Sequence, residues 1–175
     1  KNFTKKIILM KNLESAETAK LIDNTYRDNI FAFSNQISLI CDKLGLDTLD
    51  IIKKCNLDYP RNNIPLPSPG VGGACLTKDP YILISSSNKK NINSNLILES
   101  RKTNNRVLDN LVKKIMNKLK QVTNPKILIS GIAFKGYPEN SDTRFSTSID
   151  MIKKIKKLNN NAKIYVYDSI INKKS

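Results

Sequence analysis

Apolar residues recur at steps of three and four near the start of the chain, at Ala19, Ile22, Tyr26, Ile30, Phe33, Ile37, Ile40 and Leu44. That period predicts one long helix from about Ser15 to Leu44, stopped by Gly45. A stripe sustained over about thirty residues suits a packing spine or a dimer seam. Lys20, Asn24 and Arg27 step along another face; as residues alone they read as solvated. A short helix is predicted from the Asp47-Thr48-Leu49-Asp50 cap to about Cys55. Four of the chain's seven prolines fall between Tyr59 and Pro69, which excludes a regular helix or central strand and predicts a stiff extended loop. Further helices are expected from Asp79 to about Ser86 and from about Ser94 to Val122, with a boundary at Thr123-Asn124-Pro125. The pattern then changes. Ile127-Leu128-Ile129 reads as a buried parallel strand. A helix follows from Thr147 to Leu158, and the alternating strand Ile164–Tyr167 ends at Asp168. This is a βαβ unit of a doubly wound fold, which binds ligands beyond the carboxyl ends of its strands, here the loop from about Ile132 to Arg144.

With 175 residues and 39% hydrophobic content, the chain can bury a core as one domain or two small ones. No apolar run approaches the ~18 residues of a membrane span, and Ile7-Ile8-Leu9-Met10 is too short for a signal peptide. Three cysteines at irregular spacing argue against a disulfide framework and for a reducing cytoplasm. Histidine is absent and no CxxC occurs, so no metal site is expected. The balance of 30 Lys+Arg against 15 Asp+Glu gives a net charge of +15. The lysines are spread over the whole chain without interleaved aromatics, which argues against a nucleic-acid surface; an anionic small ligand suits the charge equally well. Lys5–Met10 resembles the last strand or a linker of something upstream.

The chemistry concentrates around Cys75, in Pro69-Gly70-Val71-Gly72-Gly73-Ala74-Cys75-Leu76-Thr77-Lys78-Asp79-Pro80. Three glycines in four positions let the backbone turn sharply and lie against a ligand. Asp79-Pro80 reads as an N-cap followed by the first helical residue. A helix N-terminus and a lysine beside a thiol favour a nucleophilic thiolate. From these residues alone, a nucleophile and a buried spacer beside a tight turn are both open. No GxGxxG occurs, and Gly131–Gly136 lacks the Lys-Ser/Thr of a phosphate loop.

Gly70-Val71-Gly72-Gly73-Ala74-Cys75-Leu76-Thr77-Lys78-Asp79 resembles the signature of the nucleotide-sugar 6-dehydrogenases, the UDP-glucose/GDP-mannose dehydrogenase family. Three more segments resemble that family in the right order: Ser15–Asn24, Pro60–Ile64, and Gly131–Lys135 with Ser141–Ser146. The resemblance implies a mainly α central dimerisation domain (13–122) that carries the Cys75 loop. A partial α/β, Rossmann-like UDP-binding domain (123–175) follows, and residues 1–12 would be the end of an upstream domain or linker. It further implies a homodimer through the long helix, a UDP-sugar substrate and NAD as cofactor, with no nucleic-acid or membrane partner.

By resemblance the activity is four-electron oxidation of a UDP-sugar C6 alcohol to the uronic acid through a Cys75 thioester. Lys20 and Asn24 would hold the oxyanion and the water, and Asp79 would assist hydrolysis. Arg61, Leu66, Pro67, Ser68, Pro69, Gly70, Val71, Gly72, Phe134 and Lys135 would grip the sugar and UDP. Lys78 and Arg144 would touch NAD. Cys41 and Cys55 would be structural. The family's glycine fingerprint and catalytic glutamate are not in this chain, so NAD would be bound mainly by a domain outside it, and the chain alone should be inactive. The Pro-rich lead and the spacing from Arg61 to Cys75 resemble the UDP-N-acetylmannosamine branch, although Ala74 stands where many of that branch have histidine and Lys78 resembles the UDP-glucose pattern. A UDP-glucose 6-dehydrogenase and a non-catalytic dimerisation or UDP-sugar-binding module remain open alternatives.

Overall fold

A computed structural model describes residues 7–171. The rest of the Lys5–Met10 stretch and the last four residues lie outside it; Ile7–Met10 forms no strand and is exposed.

Helix α1 spans Leu13–Leu44. It opens on Asn12, whose side chain accepts from Ser15 N at 2.9 Å, and closes on Gly45 in the left-handed conformation (φ 69°), where a residue without Cβ fits at least cost. Helix α2, Thr48–Asn56, is capped by Asp47, which accepts from Leu49 N and Asp50 N. The proline-rich segment is extended and anchored by Asn56, whose amide bonds Ile64 O and Ile64 N at 2.8 and 3.0 Å. Helices α3 (Asp79–Asn88) and α4 (Asn95–Lys118) follow. The sequence pattern places the end of α4 four residues later; its C-cap is Leu119, and the chain turns before Asn124 (φ 54°) and Pro125. Strand β1 (Lys126–Ser130), α5 (Thr147–Leu158) and β2 (Lys163–Tyr167) complete the order. β1 and β2 pair in parallel, with Leu128 opposite Tyr165 and Ile129 opposite Val166.

The molecule is therefore mainly helical with one small parallel sheet. An apolar core gathers Leu108 and Val112 of α4, Ile129 of β1, Met151 and Ile155 of α5, and Ala162. Alternation along β1 sends Ile129 into this core and Leu128 outward. The outer sheet face carries Leu128, Tyr165 and Tyr167, 67%, 52% and 61% exposed.

Between α1, α3 and α4 the packing is polar instead. The stripe of Ile22, Tyr26, Phe33, Ile40 and Leu44 faces outward. The residues that α1 buries are Asn24, Thr25, Asp28, Ala32, Ser34, Asn35 and Cys41. The solvated reading of the face bearing Asn24 is thus corrected: Asn24 is fully buried, because it has polar partners on α3 and one turn along α1. Among the described residues no helix is long and apolar enough to cross a membrane.

Candidate functional site

The turn bearing Cys75 is held from behind by a buried polar network. Arg101 of α4, 1% exposed, pairs with fully buried Asp28 of α1 at 2.7 Å. Its guanidinium also donates to Leu76 O at 3.0 Å and Val71 O at 3.2 Å, the backbone on either side of Gly72–Cys75. Asn104 donates to Asp28 Oδ1 at 2.8 Å and accepts from Asn35 at 2.9 Å, and Asn35 in turn accepts from Ser68 N at 2.8 Å. Two helices thereby fix both ends of the loop Ser68–Leu76. Most of the pair's polar atoms are bonded in this way, as a buried ion pair requires, while Asp28 Oδ2 and Arg101 Nε are buried without a partner among the described residues. Burial pushes the Asp28 carboxyl above its ordinary range, against the opposing pull of Arg101 and Asn104.

From Gly73 the backbone winds through turns into α3. Thr77 N and its hydroxyl bond Gly73 O, and Lys78 N and Asp79 N bond Cys75 O at 3.1 and 2.8 Å. Lys78 is the N-cap and Asp79 the first helical residue, which corrects the reading of Asp79 as a cap. The entering amides are already satisfied by Cys75 O, so the Asp79 side chain is free to reach α1. There it accepts from Asn24 Nδ2 at 2.5 Å, and its other oxygen accepts from Lys78. Burial pushes the Asp79 carboxyl up, but the bonds from Lys78 and Asn24 and the charges of Lys78 and Lys20 outweigh it and leave its pKa lowered. The bond to Asp79 raises the Lys78 pKa. Arg27 donates to Asn24 Oδ1, so both ends of the Asn24 amide are engaged. Lys20 is exposed, as is Cys75; Cys41 is buried, and Cys55, expected to be structural, is also exposed.

The glycines approach protein as well as open space. A Cβ at Gly72 would collide with the carbonyl oxygen of Phe145, and one at Gly73 (φ +89°) would meet the Phe134 ring at 2.8 Å. Gly73 N donates to Phe145 O at 3.1 Å. The close approach expected for a ligand is therefore made in part by the segment before α5.

Beside this contact opens a cavity of about 680 Å³. Ser68 to Gly72 and Leu76 form one wall, Phe134 and Lys135 another, and Arg27 with Phe31 of α1 a third. Its floor is made by the carboxyl ends of both strands, Ser130 and Tyr167, with Asp168, where a doubly wound unit presents ligands. Asp168 accepts from Ile132 N (2.8 Å) and Ala133 N (3.4 Å) through one oxygen, and from Ile170 N (2.9 Å) and Ile171 N (3.1 Å) through the other. These amides hold its pKa down to about 2.

Of the residues the sequence put forward, the structure brings Ser68, Pro69, Gly70, Val71, Gly72, Phe134 and Lys135 to the cavity. It sets Asn24 and Asp79 together beside the Cys75 turn. Arg61 lies over the Tyr59 ring at 5.9 Å, and neither it nor Leu66 lines the cavity. Pro67 lines a smaller hollow behind the loop, between α1 and α4. Arg144 is exposed and chelates Asp142, whose pKa falls to about 2 through those bonds. The sequence pattern assigns no role to Asp28, Asn35, Arg101 and Asn104, and reads Arg27 as solvated. The signal that could have found them is a helical row of amides and charges, Asn24, Asp28 and Asn35, where a lysine-rich surface helix would carry lysine.

The chain matches a sequence model described as the UDP-glucose/GDP-mannose dehydrogenase family, central domain, over residues 14–106. It is 36% identical over 147 residues to a UDP-N-acetyl-D-mannosamine dehydrogenase of Campylobacter jejuni, covering 84% of this chain and 35% of the relative. To the enzyme of that name from Methanococcus maripaludis it is 36% identical over 170 residues, covering 96% and 38%. The fold is similar to the solved UDP-N-acetyl-mannosamine dehydrogenase of Staphylococcus aureus, with 30% identity, a TM-score of 0.78, and 98% of this chain on 38% of that one. The UDP-D-ManNAc dehydrogenase of Pyrococcus horikoshii gives 31% identity and a TM-score of 0.79, with 97% on 40%. The chain thus spans little more than a third of the length of the curated relatives it matches. On the order of its motifs, the matched central domain and the shared architecture, this chain belongs to the UDP-glucose/GDP-mannose dehydrogenase family.

Proposed function

We propose that this chain supplies the substrate side of an NAD-dependent, four-electron oxidation of a UDP-sugar, with UDP-N-acetylmannosamine or a related UDP-N-acetylhexosamine as substrate. The observation that carries this reading is the junction of two sites. A cavity at the strand ends, walled by Lys135 and Arg27, adjoins a turn that bears an exposed thiol. The hydrogen-bonded pair Asn24–Asp79 lies at the end of that same turn.

The cavity would hold the nucleotide portion, with Lys135 and the Ser68–Gly72 backbone against it, and would direct the sugar toward Cys75. The Cys75 sulfur would add to the C6 aldehyde, giving a thiohemiacetal whose oxyanion Lys20, with Asn24 behind it, would stabilise. Loss of a second hydride leaves a thioester; water then adds to its carbonyl, the thiolate departs, and the uronic acid is released. Asp79, kept ionised by Lys78 and Asn24, would accept the water's proton. NAD would supply the oxidising power, two molecules bound in turn each accepting one hydride. Lys78 and Arg144, exposed cations, suit the rim of such a dinucleotide, and among the described residues no glycine-rich strand-to-helix turn stands beside them to cradle it. We assign the remaining organisation accordingly: a helical part over 13–122, an α/β part from 123, and a homodimer through the outward apolar stripe of α1.

The intact enzyme with NAD and a panel of UDP-sugars tests this. Uronate should form from UDP-N-acetylmannosamine and vanish in Cys75→Ser. Preferred turnover of UDP-glucose would reassign the branch, and UDP-sugar binding without any uronate would leave a non-catalytic module.

A further inference from the structure

Among the described residues that bond to Asn24 or Asp79, Arg27 alone also lines the cavity. It sits one turn beyond Asn24 on α1, on the same helix face. Its Nη2 donates to Asn24 Oδ1 and, at 3.3 Å, to Asp23 Oδ2. Nη1 and Nε have no partner among the described residues, and the side chain is 44% exposed, so half of its planar fork is available to a ligand. Such a fork matches the paired oxygens of a phosphate or carboxylate.

Asn24 is fully buried between a guanidinium on its oxygen and a carboxylate on its nitrogen. Each of these bonds polarises the amide in the sense that strengthens the other, so the three groups act as a chain. Charge elsewhere on the cavity wall comes from Lys135, Glu139 and Asp168, and the Asp168 oxygens are taken up by backbone amides.

We propose that Arg27 is a positioning residue that transmits occupancy of the cavity by an anionic group to the Asn24–Asp79 pair beside Cys75. The oxygens of a nucleoside diphosphate, taken by the open Nε–Nη1 side of the guanidinium, draw Nη2 away from Asn24 and Asp23. As Arg27 turns to them, the Asn24 amide loses the partner that fixes its oxygen, and its hold on Asp79 alters. The thiol side thus has one arrangement with the cavity empty and another with it filled. The inference rests on the cavity being the nucleotide-sugar site.

UDP is the probe, titrated into the intact enzyme as wild type, Arg27→Lys and Arg27→Met. Calorimetry gives affinity, and nitrogen-15 spectra follow the Asn24 side-chain amide. In the wild type, UDP should displace the Asn24 signal. Arg27→Met should bind UDP ~tenfold more weakly, the scale of a lost charged hydrogen bond, and at saturation should leave that signal unmoved. Arg27→Lys should regain affinity without regaining the displacement, since an ammonium lacks the fork. A merely structural role would lower affinity and melting temperature together and leave the displacement at saturation intact. Absence of UDP binding by the wild type, or equal displacement in all three proteins, overturns the proposal. The reaction is tested separately: uronate formation surviving in Cys75→Ser would remove the thioester chemistry while leaving this coupling measurable, and a lost coupling with Cys75 still essential would remove only the role of Arg27.

Discussion

Arg101 and Asp28 meet at 2.7 Å with side chains 1% and 0% exposed, and the same guanidinium holds the backbone carbonyls of Val71 and Leu76. The pair therefore ties α1 and α4 to the turn carrying the thiol. Arg101→Met should cost about 3–5 kcal/mol, because it strands a buried carboxylate and frees two carbonyls at once. Adding Asp28→Asn should recover part of that loss. Urea unfolding gives both values; a loss below ~1 kcal/mol for Arg101→Met would show that the network is not needed.

Cys75 and Cys55 are both exposed whereas Cys41 is 5% exposed. Alkylation near neutral pH should therefore leave Cys41 unlabelled until the protein unfolds. Cys75, with Lys78 nearby, should react faster than Cys55, which serves as a control for access. Equal rates at the two exposed thiols, read by peptide mass spectrometry, would deny any activation by the Cys75 surroundings.

Gly72→Ala places a methyl against Phe145 O and should destabilise by about 1–3 kcal/mol, as overpacking does. Gly45→Ala puts a Cβ into open space and carries only the left-handed backbone penalty of ~1 kcal/mol. Thermal melts of the pair check the order, and UDP binding should weaken in the first and persist in the second.

Asp168 and Asp142 titrate at about 2, below the ordinary 3.8. A depressed carboxyl pKa means that the unfolded chain binds more protons, so the associated stability is present above pH ~4 and is lost as the pH falls toward ~2. Asp168→Asn should flatten the stability–pH curve in that window and lower it by a constant amount above. An identical acid limb in the variant would show that Asp168 does not contribute.

The outward stripe of α1, with Tyr26 and Phe33 62% and 55% exposed, is the surface on which the homodimer proposal rests. Sedimentation at micromolar concentration should give a dimer, and Phe33→Glu a monomer; a monomeric wild type would refute it.

Periodicity made α1, α5 and both strands legible, because each alternates or repeats over several turns and ends at a glycine, a cap or an aspartate. The cavity floor was equally legible, since parallel strands joined by a helix point their carboxyl ends one way. Which residues of α1 face inward was not. The apolar row from Ile22 to Leu44 was the obvious candidate, yet the helix buries Asn24, Asp28 and Asn35, whose partners Asp79, Arg101 and Asn104 lie 55 or more residues away. Asp79 was misread for a related reason: the local rule for caps takes no account of Asn24 across the interface. Arg61 stacks on Tyr59, two positions before it, a contact that composition alone does not select.

The outer face of the β1–β2 ribbon has a practical bearing on every experiment above. Leu128, Tyr165 and Tyr167 stand side by side in register on backbone whose edges can accept further strands. Concentrated stocks should tend to associate ribbon to ribbon, and turbidity or lost material on storage would then report this sheet rather than the thiol.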